Sequence, residues 1–408
     1  MSFNKSKLAV AVATAAGLTF SSGAFATNGI IQAGNGMVAH GLGGAGLSNA
    51  GEASAGMDNP ALISQTGDSV NVAWSMFMPD RTVDTTGAVG PFGTAAASDS
   101  KMFAIPQAAF TSKINDGMSW GIMAYAMGGM NTDYRTGLFG GSAPESVNLQ
   151  GLIIAPTMSF AINKNVAIGG SLVVAYETLT TRNLFGQGAA GTNEGSAMGY
   201  GVKLGVDAKV ADGISIGAMV QPKLSMDEIS YFKNFLGGFG YSGDAALTLP
   251  NEYGIGAKFA AGKSVDIVAD ILYYQWSGVE VFEFFGWEDQ IVYKLGVEFR
   301  PTDSLALRVG FNYGESPIKG GNPAGAGGSM DAAFANYPFP AISETHFTLG
   351  LGYKMDKNLT FNAYYLYSPE ASQTATNTSM TSGGPFPAGT EIKMSQNAFG
   401  LGINYAAK

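Results

Sequence analysis

From about residue 200 onward, hydrophobic positions recur every second residue. In VDIVADILYYQW (265–276), Val265, Ile267, Ala269, Ile271 and Tyr273 share one face, and Asp266, Val268, Asp270, Leu272 and Tyr274 share the other. In IVYKLGVEFR (291–300), Ile291, Tyr293, Leu295, Val297 and Phe299 oppose Val292, Lys294, Gly296, Glu298 and Arg300. LALRVGFNY (305–313) repeats the pattern, as do 200–209, 253–259, 345–354, 359–367 and 399–405. One face is continuously apolar, while the other is glycine, small, polar or charged. This alternation predicts strands with lipid on one side and a polar lumen on the other. A soluble sandwich also alternates, but its outer face carries more Lys and Glu.

Turn chemistry sets the strand count. Short connections rich in Asn, Asp and Gly fall at 114–117, 163–165, 211–213, 261–263, 301–304 and 356–358, and such residues accept the backbone of tight hairpins. Longer irregular segments lie near 84–100, 131–145, 183–196, 231–243, 281–288, 319–341 and 374–390. Six short turns alternating with seven long segments predict 14 antiparallel strands with both chain ends on the short-turn side. The expected fold is all-β, a 14-stranded transmembrane barrel.

Composition narrows the function. The chain has 408 residues, a net charge of −9, 58 glycines, 13% charged residues and no cysteine. The acidic balance argues against nucleic acid, and the absence of cysteine leaves closed backbone hydrogen bonding to hold the fold. No stretch after residue 26 reaches the ~18 apolar residues of a membrane helix. At the N-terminus, Lys5 and Lys7 precede the apolar run 8–20, and Ala24-Phe25-Ala26 is a small-x-small site. That is the pattern of a secretory signal peptide, 1–26, cleaved after Ala26. No metal-ligand cluster, phosphate loop or nucleotide motif is present. The two histidines are His40 and His346, the latter near Ser343 and Glu344; with no nucleophile, base and orienting group set together, an outer-membrane lipid hydrolase is the weaker alternative and no catalytic residue is assigned.

The chain resembles the FadL family of outer-membrane transporters for long-chain fatty acids and other hydrophobic molecules. The resemblance rests on NPALI (59–63), LTLPNEYGIGAKF (247–259) followed by LYYQWSGVE (272–280), the run 293–318, and FTLGLGYKMDKNLTFNAYYLY (347–367), in that order. It implies a small helical hatch, 27–66, plugging the lumen of a barrel formed by 67–408. Asn59, Pro60 and Ala61 match the family's motif at the end of that hatch, where Pro60 fixes one dihedral and biases Asn59 away from helix. Glycines 34, 36, 41, 43, 44, 46 and 51 would let the plug approach the wall closely.

The resemblance also implies lateral release through an inward kink in the third strand, here 118–134. Gly128-Gly129 is the expected kink, since paired glycines weaken a strand, and the Asn59 turn is expected beside it. Capture is expected from apolar surface on the external loops: Ile229, Phe232, Phe235, Leu236 and Phe239 at helical spacing, then Phe282, Phe284, Phe285 and Trp287. Girdle aromatics are the alternative reading of the second group. For a ligand carboxylate, Arg182 and Lys294 are the candidate partners. The family's fatty-acid branch carries a basic residue near 289 where this chain has Glu288, a departure that raises neutral aliphatic or aromatic hydrocarbons as the alternative substrate. The picture is of a monomer in the bacterial outer membrane, needing no cofactor or metal and meeting only its hydrophobic ligand and outer-membrane lipids.

Overall fold

The computed structural model describes residues 28–138, 143–184, 192–319, 332–376 and 388–407, so the expected leader, 1–26, lies outside the described residues. Fourteen long strands form one antiparallel sheet. In chain order they are β1 (Asp68–Asp84), β2 (Phe103–Asn115), β3 (Met118–Tyr134), β4 (Glu145–Ala161), β5 (Val166–Arg182), β6 (Thr192–Ala211) and β7 (Ile214–Gln221). They continue with β8 (Asn251–Ala261), β9 (Val265–Gln275), β10 (Gln290–Phe299), β11 (Leu305–Gly314), β12 (Thr345–Lys354), β13 (Leu359–Thr374) and β14 (Glu391–Ala407). Each pairs with its neighbour, and β14 pairs β1 from Asp68↔Ala407 to Asp84↔Glu391, which closes the barrel. Two short strands, Ala95–Ala97 and Ser225–Met226, attach to β1 and β6. Closure matters because hydrocarbon offers no partner to a free backbone N–H or C=O.

The faces follow the alternation. Ile267, Ile271, Tyr293, Leu295, Val309 and Phe311 are exposed on the outer wall, whereas Asp266, Asp270, Lys294, Arg308 and Asn312 are buried in the lumen. Before β1, residues 28–66 fold inside the barrel as short pieces: α1 (Gly36–Gly41), α2 (Ala55–Asp58), a 3₁₀ turn (Pro60–Leu62) and α3 (Ile63–Thr66). Helices this short are unstable alone; the barrel wall holds them. Gly36 N donates to Gln107 Oε1 and Ala53 N to Asn404 Oδ1, while Glu52 accepts from Asn71 and Asn362. Asp270 accepts from Gly46 N and Leu47 N, and Asp207 from Ser48 and Gln65. The hatch is thus bonded to strands on all sides of the lumen.

On the long-loop side, further helices form in the connections: α4 (Thr86–Val89), α5 (Ser230–Gly237), α6 (Glu280–Phe284) and α7 (Ala332–Ala335).

Candidate functional site

Asn59 caps the 3₁₀ turn in an extended conformation, and its Oδ1 accepts from Ala61 N at 3.0 Å. Its Nδ2 donates to Leu47 O at 2.7 Å and to Val206 O of β6 at 3.0 Å. One side chain therefore ties the hatch to itself and to the wall. The fit depends on glycines in the wall that the sequence reading did not single out. A Cβ at Gly205 would lie 1.9 Å from Asn59 Oδ1, one at Gly169 2.4 Å from Ala61 N, and one at Gly217 2.0 Å from Leu47 O. Opposite, a Cβ at Gly310 would lie 2.0 Å from Gly43 N, with Gly296 and Gly350 meeting Leu42 and Gly41 in the same way. The signal was present in the sequence as glycine on the lumen face of the dyad pattern.

The wall parts between β2 and β3. Their ladder runs from Asn115↔Met118 to Ala108↔Ala124 and stops, although β3 continues to Tyr134. On its other edge β3 stays paired with β4, with a register shift between Ala126 and Gly128 that leaves Met127 as a bulge. Gly128 has φ +148, a conformation side chains rarely adopt. Gly129 N, which has no strand partner across the gap, donates to Ile30 O of the hatch at 3.3 Å. Higher up, Asp133 N bonds Ser98 Oγ and Asp99 N bonds Asp133 O, which bounds the gap at its outer end. The result is a window in the wall, floored by hatch backbone. The expected neighbour of this window was the Asn59 turn; the structure instead docks that turn on β4, β5 and β6 and places Ile30 at the window. Ile30 could not be found from sequence, because nothing local distinguishes it.

Inside, a cavity of about 40 Å³ is lined by Ile31, Asp58, Tyr125, Met127, Lys203, Glu252, Asp270 and Lys294 among others. At ~10–15 Å³ per water this holds about three, so a larger guest has to displace side chains. The charges offset one another: Lys203 and Lys294 share the space with Asp58, Asp270 and Glu252. Lys203 Nζ also donates to Met57 O at 2.8 Å. Burial pushes the hatch carboxyl of Asp58 up to about 6, against Asn35 Nδ2 donating to it at 2.8 Å. Arg182 stands away from this cavity, at the end of β5, where its guanidinium pairs with Asp133 at 3.3 Å. The two basic candidates are therefore not brought together.

The aromatic loops turn inward. Phe232, Leu236, Phe284, Phe285 and Trp287 are all buried, and Phe235 and Phe239 are half-buried against the same core. This corrects the expectation of apolar rings presented on the surface, and it removes 282–287 from the girdle. Phe232, Phe235 and Leu236 lie on α5, which docks over β5 and β6: Tyr231 Oη donates to Leu179 O of β5 at 3.0 Å, and a Cβ at Gly195 of β6 would meet Ile229 and Tyr231. Trp276 and Trp287 meet edge to face at 4.9 Å, and Trp287 Nε1 donates to Asn336 Oδ1 at 2.7 Å. Directly beneath, a Cβ at Gly29 (φ +66) would lie 2.5 Å from Trp276. Cap and hatch are in contact there.

His346 Nε2 lies 2.6 Å from Gln396 Nε2, while its Nδ1 and Ser343 Oγ have no hydrogen-bond partner among the described residues. Among the described residues no nucleophile is bonded to this base. Among the described residues no group of His, Asp and Glu could hold a metal ion.

Residues 12–407 match the family described as outer membrane protein transport protein (OMPP1/FadL/TodX). No curated protein matches the chain in sequence. Among solved structures, the P. putida toluene transporter TodX is similar with 17% identity and a TM-score of 0.65, covering 91% of this chain and 98% of that one. A Pseudomonas aeruginosa FadL homologue gives 14% identity and a TM-score of 0.67 over 93% and 100% of the two chains. The Ralstonia pickettii toluene transporter TbuX gives 17% and 0.61 over 92% and 99%.

Proposed function

We propose, from the premise that this chain belongs to the FadL/TodX family of outer-membrane transport proteins, that it takes up neutral hydrophobic molecules and releases them sideways into the bilayer. The family is one of transport proteins, not enzymes. In this reading residues 1–26 direct export, 27–66 act as the plug, and 67–408 form the conducting wall.

The observation that carries the reading is the interrupted ladder above Ala108↔Ala124, with Gly129 bonded to Ile30 instead of to β2. A break in a membrane-facing wall is tolerated only where something other than lipid satisfies its backbone. Hatch backbone does that here at Gly129, through Ile30 O. Sideways release also spares an alkyl chain about 0.8 kcal/mol for each methylene that the periplasmic route would expose to water. Entry would run past the half-buried rings of Phe235 and Phe239 into the space behind Phe232, Leu236, Phe284, Phe285 and Trp287.

Charge favours a neutral substrate. Lys203 and Lys294 are matched by three carboxyl groups lining the same cavity, and Arg182 is engaged by Asp133. The TodX and TbuX structures are named as toluene transporters, which fits the same direction. A long-chain fatty acid is the second reading, favoured by Lys294, which lines the cavity beside Lys203.

The test is Gly128→Val. Valine prefers ordinary extended φ, and its Cβ would lie 2.5 Å from Ile30 O. Uptake of toluene by cells expressing this variant is expected to fall about tenfold, the effect of a 1.4 kcal/mol rise in barrier, at an unchanged amount of folded barrel. A folded variant transporting at the wild-type rate excludes lateral exit here.

A further inference from the structure

Glu177 is a fully buried carboxyl on the lumen face of β5, and neither of its oxygens has a hydrogen-bond partner among the described residues. Its surroundings explain the isolation. The register places Gly128, Gly151, Glu177 and Ala197 in one row across β3 to β6. On the same lumen face, the next positions are Leu149, Leu179 and Gly195 toward the cap and Ile153, Ala175 and Gly199 toward the periplasm. None offers a side-chain partner.

The place is equally specific. Toward the outside, a Cβ at Gly195 would touch Ile229 and Tyr231, so α5 and its approach sit one step above Glu177. Toward the window, Met127, the bulged residue of β3, lies over Gly151: a Cβ there would be 2.8 Å from Met127 Cβ. The carboxyl thus stands between the capping helix and the window, beside a glycine whose missing side chain is replaced by a flexible thioether. Methionine is the side chain that yields such space most readily. An unpartnered carboxyl in an apolar wall is costly to the fold, and a guest bearing a hydrogen-bond donor removes that cost.

We propose that Glu177 is the polar recognition point of the transport path. When Met127 swings off Gly151, the vacated space takes a hydrophobic molecule carrying a single hydroxyl, an alcohol or a phenol, whose O–H donates to the Glu177 carboxyl. A carboxylate guest has no proton to give to that carboxyl, and its own charge is costly in an apolar site. This deepens the uptake reading above and rests on it.

The experiment uses three probes of one size, p-cresol, toluene and p-toluate, in uptake by cells expressing the full-length protein at concentrations well below saturation. Wild type is expected to take up p-cresol in preference to toluene. In Glu177→Leu the p-cresol-to-toluene ratio is expected to drop about tenfold, the worth of one buried hydrogen bond. Glu177→Gln, which keeps an acceptor oxygen, is expected to retain most of the ratio and controls for folding, with heat-modifiable mobility reporting folded barrel for every variant. An unchanged ratio in Glu177→Leu, or a loss confined to p-toluate, overturns the proposal and leaves the transport reading standing. Uptake of none of the three by wild type overturns both.

Discussion

The hatch meets the barrel in two contrasting ways. Along β5 to β7 and β10 to β12 it is seated on glycines: Gly169, Gly205, Gly217, Gly296, Gly310 and Gly350 let the hatch lie directly on the wall, and Asn59, Asp207, Asp270 and Thr348 add hydrogen bonds. At the window it offers a single backbone bond, from Gly129 N to Ile30 O, at 3.3 Å. Removing the seat requires many contacts to break together, whereas at the window one backbone hydrogen bond joins hatch to strand among the described residues. In the proposed route the residues around Ile30 would be the gate, and the Asn59 turn the anchor that keeps the rest of the plug still.

That contrast breaks most visibly at the seat. Gly310→Val places a side chain where Gly43 N now lies, and overpacking of this kind costs about 3 kcal/mol. The hatch is expected to lift from β10–β12, and planar-bilayer recordings should then show large, porin-like conductance absent from the wild type. A variant as tightly closed as the wild type would mean that the glycine seat does not hold the plug.

A smaller effect is expected from Asn59→Ala. It leaves Leu47 O and Val206 O without their Nδ2 donor and Ala61 N without its acceptor, a loss of about 2 kcal/mol. Because the chain has no cysteine, Ala53→Cys supplies a unique label, and its modification rate by a water-soluble maleimide measures hatch opening. Asn59→Ala should speed labelling while leaving the window bond, and so lateral uptake, nearly intact. Equal loss of both would make anchor and gate one unit.

The smallest effect concerns pH. Asp58 takes up its proton at about 6 in the docked hatch, against an ordinary value of 3.8. Between those values the docked state binds the proton more tightly than the undocked one, so this group's contribution to docking is present at low pH and fades as pH rises through 6. Comparing labelling of wild type and Asp58→Asn, the wild type should lose about 1 kcal/mol of docking relative to the variant between pH 5 and 7. The comparison is made against the variant because His40, lowered to about 4 by burial, works in the opposite sense. Parallel pH profiles would place Asp58 outside the docking equilibrium.

The barrel was legible in the sequence: strand count, the outward face of each strand and the sites of the short turns. These follow from side-chain alternation and from turn residues, both local properties of a few consecutive positions. The Asn59-Pro60-Ala61 turn and the helical period of 229–239 were legible for the same reason. Tertiary structure alone decided what meets what. Asn312 Nδ2 reaches Gly43 O across 269 residues of chain, and Ile30 lies against Gly129 only because the hatch is seated elsewhere. The rings of α5 and α6 turn inward because the loops fold over the lumen, a choice that helical spacing leaves open. Glu177 is isolated because the register surrounds it with glycine and aliphatic side chains from two other strands. An unmet hydrogen bond is a property of the whole neighbourhood, and a neighbourhood exists only once the barrel has closed.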